Sequence, residues 1–182
     1  NDCRAFALSE AVFGAARGAS PAIGLILGTG VGGGVVVDGR LISGPTAVGG
    51  EFGHAPAPAH LVAAHDLPLI PCGCGRRGCF EAFVAGPGLT RLAAHLTGRP
   101  LSPQDIATQK ATDLAVARVW DLWCAFAAEL AMMLVCSVDP EVIVLGGGLS
   151  NIPGIADDLA AALLQAQLPG FTVPRVVLAE GG

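Results

Sequence analysis

The sequence has 182 residues, of which 52% are hydrophobic and 14% are charged, and its formal net charge at pH 7 is -5. A chain of this length and composition can bury a sizeable core in one or two lobes, which excludes a disordered segment. It contains only ten lysines and arginines. Because it lacks the basic surface that attracts nucleic acid or anionic membrane, we expect small-molecule partners, no nucleic acid and no membrane.

The six cysteines indicate a reducing compartment. Three lie within eight residues, and Cys124 and Cys136 fall inside a long helical pattern where buried thiols are ordinary. An ample apolar core needs no disulfides, so we expect a cytoplasmic protein. No apolar run reaches the roughly 18 to 20 residues of a membrane span, because Glu129 and Asp139 bracket the longest one. The first residues show no secretion-signal pattern.

The first predicted elements are a helix, a strand and a hairpin. Residues 2–15 have apolar positions at helical spacing behind Asn1, a plausible cap. The apolar run 22–28 predicts a buried strand. Residues 33–44 predict two strands joined at Asp38-Gly39, a dipeptide typical of hairpin turns.

The second half alternates helices and strands. The cysteine-rich stretch is predicted to be loop, and helical spacing then returns from Phe80 to His95, broken by the Gly-Pro-Gly at 86–88. Ser102 is a predicted N-cap ahead of Pro103. The remaining predicted elements are helices over 102–109, 111–136 and 155–168, the second ended by Val138 or Asp139-Pro140, and strands over 141–148 and 171–179. This alternation predicts an α/β fold.

Two glycine-rich loops carry the first chemical signal. Gly28, Gly30 and Gly33 satisfy the spacing of a dinucleotide loop, but the chain continues as a hairpin, whereas a dinucleotide loop opens a helix. Glycines let backbone N–H groups approach an anion, and Thr29 adds a hydroxyl donor. We therefore predict a phosphate-binding turn, with a tight turn of packed glycines as the alternative. The second loop, 145–151, is weak evidence alone.

The cysteines at 72, 74 and 79 have a spacing that suits a metal. Thiolates with one imidazole are a common structural zinc set, and His54 can supply the fourth ligand. An adventitious thiol cluster, a disulfide and a redox pair are the competing interpretations. His60 and His65 are alternative fourth ligands, and otherwise exposed loop histidines.

Four stretches together resemble the ROK family of bacterial sugar kinases and sugar-responsive repressors: "GLILGTGVGGG", "GGEFGHAPAP", "PCGCGRRGCFE" and "DPEVIVLGGGLSNIP". The N-acetylglucosamine kinase branch is nearest, followed by the fructokinase and glucokinase branches. The resemblance implies the actin-like sugar kinase fold, in which two ribonuclease-H-like lobes close over ATP and sugar. The chain would be mainly the C-terminal lobe, with the N-terminal lobe missing.

The resemblance also implies roles for individual residues. Asp2 would be the general base, with Asn1 beside it on the sugar, although Asp2 alone reads as a helix-start carboxylate. Glu51, His54 and Glu81 would bind sugar hydroxyls. One structural zinc would be held by His54, Cys72, Cys74 and Cys79. ATP would contact Gly28, Thr29, Gly30, Val31, Gly32, Gly33, Gly34, Gly146, Gly147 and Gly148, and magnesium would accompany it.

These roles divide the chain into four regions. They are a catalytic-base helix (1–21), a phosphate hairpin (22–50), a zinc and sugar-binding loop (51–85) and a helical, nucleotide-side region (86–182). One departure lies beside the base, where Cys3 and Arg4 replace the last two residues of the family's N-D-A-N.

The function expected from the resemblance is ATP-dependent phosphorylation of a hexose or N-acetylhexosamine, foremost N-acetylglucosamine to its 6-phosphate. We expect a homodimer in the full-length protein and a fragment that is inactive alone. The alternatives are a sugar-sensing repressor of the same family and a zinc-stabilised binding module without chemistry.

Overall fold

A five-stranded mixed sheet forms the centre of the computed structural model, which describes residues 2–180. The strands are β1 (Ala22–Leu27), β2 (Val31–Val37), β3 (Arg40–Leu41), β4 (Val142–Gly146) and β5 (Arg175–Leu178), in the order β3-β2-β1-β4-β5. Strands β1, β2 and β3 pair antiparallel, whereas β4 runs parallel to both β1 and β5. The predicted α/β class is confirmed.

Helices cover both faces of this sheet. They are α1 (Asp2–Phe13), α2 (Ala59–Ala64), α3 (Glu81–Val84), α4 (Gly86–Thr97), α5 (Pro103–Gln109), α6 (Leu114–Val138) and α7 (Ile155–Ala166), with short 3-10 turns at Phe52–His54 and Gly148–Asn151. Helix α1 packs on the face that carries Ala22 and Val142. The larger core, built around α6, covers the face that carries Ile23 and Leu25.

Helix α1 lies unusually close to the sheet because the strands beneath it carry glycine. A Cβ on Gly24 would stand 2.7 Å from the Ala7 Cβ, and one on Gly34 would stand 2.9 Å from it. Gly146 lies beneath the Phe6 ring, and a Cβ added to it would stand 2.6 Å from the Phe6 Cζ. These glycines therefore set the distance between helix and sheet.

Helix α6 is the centre of the main core. Trp123, Phe126 and Leu130 on it are fully buried. Phe83 stacks on Phe126 with ring centroids 4.7 Å apart, and the Trp123 indole N–H donates to the Val84 carbonyl at 2.9 Å. By length and composition α6 is able to cross a membrane, which the sequence analysis did not expect. More than half of its most apolar stretch is buried within the protein, as in a core helix.

Several predicted boundaries are confirmed by backbone geometry. Asp38 and Gly39 have φ of 49° and 71° in the hairpin turn between β2 and β3. The Ser102 side chain accepts from the Asp105 N–H in a capping box, and α6 ends at Asp139, whose φ is 51°.

One sequence prediction is wrong. Gly86 and Pro87 begin α4 rather than interrupting a helix, because proline is tolerated in a first turn, where its missing N–H has no intrahelical partner. The cysteine cluster at 72–79 is loop, as predicted, whereas the residues ahead of it contain the 3-10 turn Phe52–His54 and helix α2, which the sequence analysis did not predict.

Glu10 is a buried carboxylate that joins two distant parts of the chain. Its side chain is 1% exposed. Its Oε2 accepts from the backbone N–H of Ala15 at 2.9 Å and from that of Glu180 at 3.2 Å. It therefore connects the turn after α1 to the residues that follow β5.

We expect Glu10→Ala to lower the free energy of unfolding by about 2 to 3 kcal/mol, because buried N–H groups lose their acceptor. Glu10→Gln keeps one acceptor oxygen and should cost less. Glu129→Ala is the matched control, since its carboxylate meets the exposed His60 ring at 3.4 Å and such pairs contribute about 1 kcal/mol or less. Urea denaturation measures all three, and equal losses at Glu10 and Glu129 would contradict the prediction.

Candidate functional site

The structure brings His54 and three cysteines together. The Cys72 Sγ lies 3.5 Å from the His54 Nδ1, and the Cys74 Sγ lies 3.6 Å from the Cys79 Sγ. All four ligand atoms lie within 4.8 Å of one another. Tetrahedral zinc with Zn–S bonds of about 2.3 Å separates its ligand atoms by about 3.5 to 3.8 Å. The residues therefore fit a zinc ion.

Backbone bonds shape the segment that carries the thiols. The Cys72 N–H donates to the Arg76 carbonyl at 2.8 Å, and the Gly75 N–H donates to the Cys72 carbonyl at 3.0 Å. Gly75 has a φ of 87°, which favours glycine. The exposed Arg76 guanidinium donates to the His54 carbonyl at 2.7 Å. The cysteine segment is thereby held against the 3-10 turn that ends at His54.

Two of the thiols differ in acidity. The backbone N–H of Arg76, and then its guanidinium, lower the pKa of the Cys74 thiol to about 6. Burial raises the pKa of the Cys79 thiol to about 12, with hydrogen bonding to Cys74 and Cys72 contributing. Cys74 is therefore the more acidic of these two thiols, and metal binding would release the protons that the cluster cysteines still carry.

The His54 ring faces two groups through its two nitrogens. Nδ1 faces Cys72, while Nε2 lies 3.9 Å from the Glu51 Oε2. A metal ligand at Nδ1 would leave the proton on Nε2, directed toward the Glu51 carboxylate. His54 can therefore act toward a metal on one side and a polar ligand on the other.

Glu81 connects the cysteine segment to the glycine hairpin. Its Oε2 accepts from the Val31 N–H at 3.0 Å, and its Oε1 accepts from the Cys72 thiol at 3.7 Å. A Cβ on Gly30 would stand 2.9 Å from that same Oε2. One carboxylate, at the first residue of α3, thus fixes the turn before β2 relative to the metal ligands.

Asp2 lies at the exposed start of α1, over the strand that follows the glycine turn. A Cβ on Gly32 would meet the Cys3 Sγ at 3.2 Å. Burial raises the pKa of the Cys3 thiol, and the carboxylates of Glu51 and then Asp2 raise it further. The two carboxylates therefore act on one thiol. Asn1, predicted beside the base, lies outside the described residues.

Arg4 carries buried nitrogens near this site. Its Nε and Nη1 are buried without a hydrogen-bond partner among residues 2–180. Its Cα would stand 3.2 Å from a Cβ on Gly34. The departure from the family's N-D-A-N therefore places an arginine backbone against β2, with part of its guanidinium buried.

The two glycine loops meet at one edge of the sheet. Strands β1 and β4 are parallel neighbours, so their carboxyl ends lie side by side. A Cβ on Gly28 would stand 3.8 Å from the Gly148 N, and with Thr29 these residues line a cavity of about 410 Å³. The second loop, 145–151, was weak evidence for a binding site in the sequence alone. In the structure it lies beside the first glycine loop.

The other predicted glycine-loop residues lie elsewhere. Val31, Gly32, Gly33 and Gly34 are buried in β2. Gly146 and Gly147 line a separate cavity of about 340 Å³ with Phe6 and Asn151. Of the predicted nucleotide residues, Gly28, Thr29 and Gly148 share the larger cavity.

The sequence analysis missed further residues of this cavity. They are Gly86, Pro87, Thr90, Pro103, Gln104 and Leu149. The Gly86 N–H donates to the Gly28 carbonyl at 2.8 Å, which brings the start of α4 against the glycine turn. The Gly-Pro-Gly motif was the available signal, and it was interpreted as a helix break.

The remaining histidines and cysteines lie outside the cluster. His60 meets Glu129, and the His65 carbonyl lies 3.0 Å from the His95 Nε2. None of the six cysteines forms a disulfide in the described structure. Burial raises the pKa of the Cys124 thiol to about 12.

Comparison with known proteins identifies the family of the chain. The sequence pattern of the ROK family matches residues 1–181. The chain is 42% identical over 183 residues to an N-acetylgalactosamine kinase of Shewanella sp. (strain ANA-3) and 40% identical over 185 residues to an N-acetyl-D-glucosamine kinase of Escherichia coli O127:H6. All of the chain is covered in both cases, and it spans 59% and 61% of the lengths of these curated relatives.

A solved structure shares the whole fold of the chain. The ROK family glucokinase from Streptomyces griseus, in complex with glucose and AMPPNP, superposes with a TM-score of 0.84 at 26% identity. The match covers 100% of this chain and 62% of the glucokinase. On the extent of these matches, the chain belongs to the ROK family.

Proposed function

We propose that the chain is the C-terminal part of an ATP-dependent kinase that phosphorylates an N-acetylhexosamine, foremost N-acetylglucosamine at its 6-hydroxyl. The observation that carries the proposal is the position of the Glu81 carboxylate, which accepts from the Val31 N–H of the glycine turn at 3.0 Å and lies 3.7 Å from the Cys72 Sγ of the metal cluster. A phosphate-binding turn and a polar group suited to sugar hydroxyls are thereby held side by side. Relatives about 40% identical are named N-acetylhexosamine kinases, which supports the substrate class.

In this proposal, Asp2 is the general base. Its carboxylate accepts the proton of the sugar hydroxyl as that oxygen bonds to the terminal phosphorus of ATP. The bond from this phosphorus to the β-phosphate oxygen breaks, and its electron pair leaves with ADP. Glu51, Glu81 and the His54 Nε2–H orient the hydroxyls of the ring. Gly28, Thr29 and Gly148 offer backbone and hydroxyl donors to the phosphates, which magnesium accompanies.

Zinc has a positioning role in the proposal. Held by His54, Cys72, Cys74 and Cys79, it would fix the imidazole whose other nitrogen points to Glu51. The sugar-binding residues 51–81 contain no strand among the described elements and one six-residue helix. A metal crosslink would supply order that this stretch lacks from regular structure.

The metal is tested by elemental analysis of the purified 182-residue chain. We expect one zinc per chain, lost in Cys74→Ala and retained in Cys136→Ala, which removes another exposed cysteine far from the cluster. Chelation should lower the melting temperature of the wild type and leave that of Cys74→Ala unchanged. Folded wild-type protein without zinc would contradict the assignment.

The general base is tested in the protein as encoded by its gene. Asp2→Asn keeps the size of the side chain and removes the proton acceptor, so kcat should fall by about 100- to 10,000-fold. Asp157→Asn is the control, because Asp157 is an exposed carboxylate in the first turn of α7. Equal kcat values for Asp2→Asn and wild type would exclude the role.

The activity itself is tested with the same protein beside the 182-residue chain. We expect ATP-dependent phosphorylation of N-acetylglucosamine by the encoded protein, with a higher kcat/KM than for N-acetylgalactosamine or glucose, and none by the chain alone. Turnover by the chain alone would show that it needs no further lobe. A preference for N-acetylgalactosamine would move the substrate to that epimer.

A further inference from the structure

A second, smaller cavity adjoins the one lined by the glycine loops. Its volume is about 150 Å³, and Thr29 and Pro87 line both cavities. Cys72 and Glu81 form the side toward the metal cluster, and Arg91 of α4 forms another wall. This small cavity, the junction cavity, therefore lies between the proposed phosphate turn and the proposed sugar residues.

Arg91 is the one cation among the described residues that line the two cavities. Its Nη2 donates to the carbonyl of Ala82, the second residue of the short helix α3, at 2.8 Å, which orients the guanidinium. No carboxylate oxygen of residues 2–180 lies within 4.0 Å of this guanidinium. Arginine has five N–H donors, so the charge and further donors stay available to the cavity.

The nearby Glu81 carboxylate does not form an ion pair with Arg91. The Glu81 Oε2 accepts from the Val31 N–H at 3.0 Å, its Oε1 lies 3.7 Å from the Cys72 Sγ, and neither oxygen forms an ion pair with Arg91. The junction cavity thus combines the Thr29 hydroxyl with a guanidinium that has no ion-pair partner in the described chain. Guanidinium groups bind phosphate oxygens in a planar, often bidentate geometry, and they neutralise charge that phosphoryl transfer spreads over the non-bridging oxygens.

We propose that Arg91 is a further phosphate-binding residue, which donates to the non-bridging oxygens of the transferred phosphate while Thr29 holds its other side. The inference rests on the proposed kinase function and deepens it. Arg91 forms and breaks no covalent bond. It orients the terminal phosphate toward the sugar residues and leaves the ADP part of the nucleotide to the larger cavity.

The test uses steady-state kinetics of the encoded protein with ATP and N-acetylglucosamine. Arg91→Met removes the charge and the donors but keeps a long side chain, Arg91→Lys keeps the charge without the planar fork, and Arg118→Gln changes an exposed arginine on α6 as the matched control. We expect kcat/KM for ATP to fall about 10- to 100-fold in Arg91→Met. Arg91→Lys should recover part of that loss, and Arg118→Gln should match wild type.

The inhibition constant of ADP separates phosphate binding from a structural role. ADP lacks the transferred phosphate, so its inhibition constant, the zinc content and the melting temperature should be unchanged in Arg91→Met. If Arg91 only caps α3 at Ala82, the melting temperature, the ADP constant and the ATP kinetics will worsen together. That result, or unchanged ATP kinetics, overturns the role of Arg91 and leaves the kinase proposal standing. Absence of any kinase activity in the wild type overturns both.

Discussion

The parallel pairing of β1 with β4 is the constraint on which the candidate site depends. Residues 22–26 and 142–146 are separated by more than a hundred positions, yet they pair in register from Ala22 with Val142 to Ile26 with Gly146. Both strands end at the same edge, so two glycine loops meet and leave a cavity between them. A slip of two residues along β4 would keep its buried face and still separate Gly28 from Gly148.

The cysteine segment positions side chains of the candidate site through its own contacts rather than through strand pairing. Glu51 and His54, which we propose as sugar ligands, lie at a short 3-10 turn rather than on a strand or a long helix. Here the position of His54 depends on Cys72 on one side and on the Arg76 guanidinium at its carbonyl. The same thiol meets Glu81, so a change at the cluster is passed to the glycine turn through one side chain.

Local signals made much of the fold predictable. The Asp38-Gly39 turn, the Ser102 capping box and the end of α6 at Asp139 depend on neighbouring residues, and each was found from sequence. The start of α4 was missed because Gly-Pro-Gly can either interrupt a helix or begin one. The hydrogen bond from the Gly86 N–H to the Gly28 carbonyl favours the second arrangement here.

The candidate site was less accessible to sequence reasoning than the helices and turns. Motif spacing predicted the cluster of His54 with three cysteines, and the family resemblance pointed to the carboxylates. Neither could divide one glycine run into a cavity wall and a packed strand. Gly28 lines the cavity, whereas Gly32 and Gly34 lie beneath α1. That division depends on which residues face the helix, a property of the register of the sheet.

The close seat of α1 on the strand glycines has a mechanical consequence. Asp2 and Ala7 belong to one helix, and at 1.5 Å per residue they lie about 7.5 Å apart along its axis. The contact of Ala7 with Gly24 and Gly34 therefore sets the position of the whole helix on the sheet. Any side chain that pushed Ala7 away from these two glycines would move Asp2 relative to β2, although no residue of the site itself had changed.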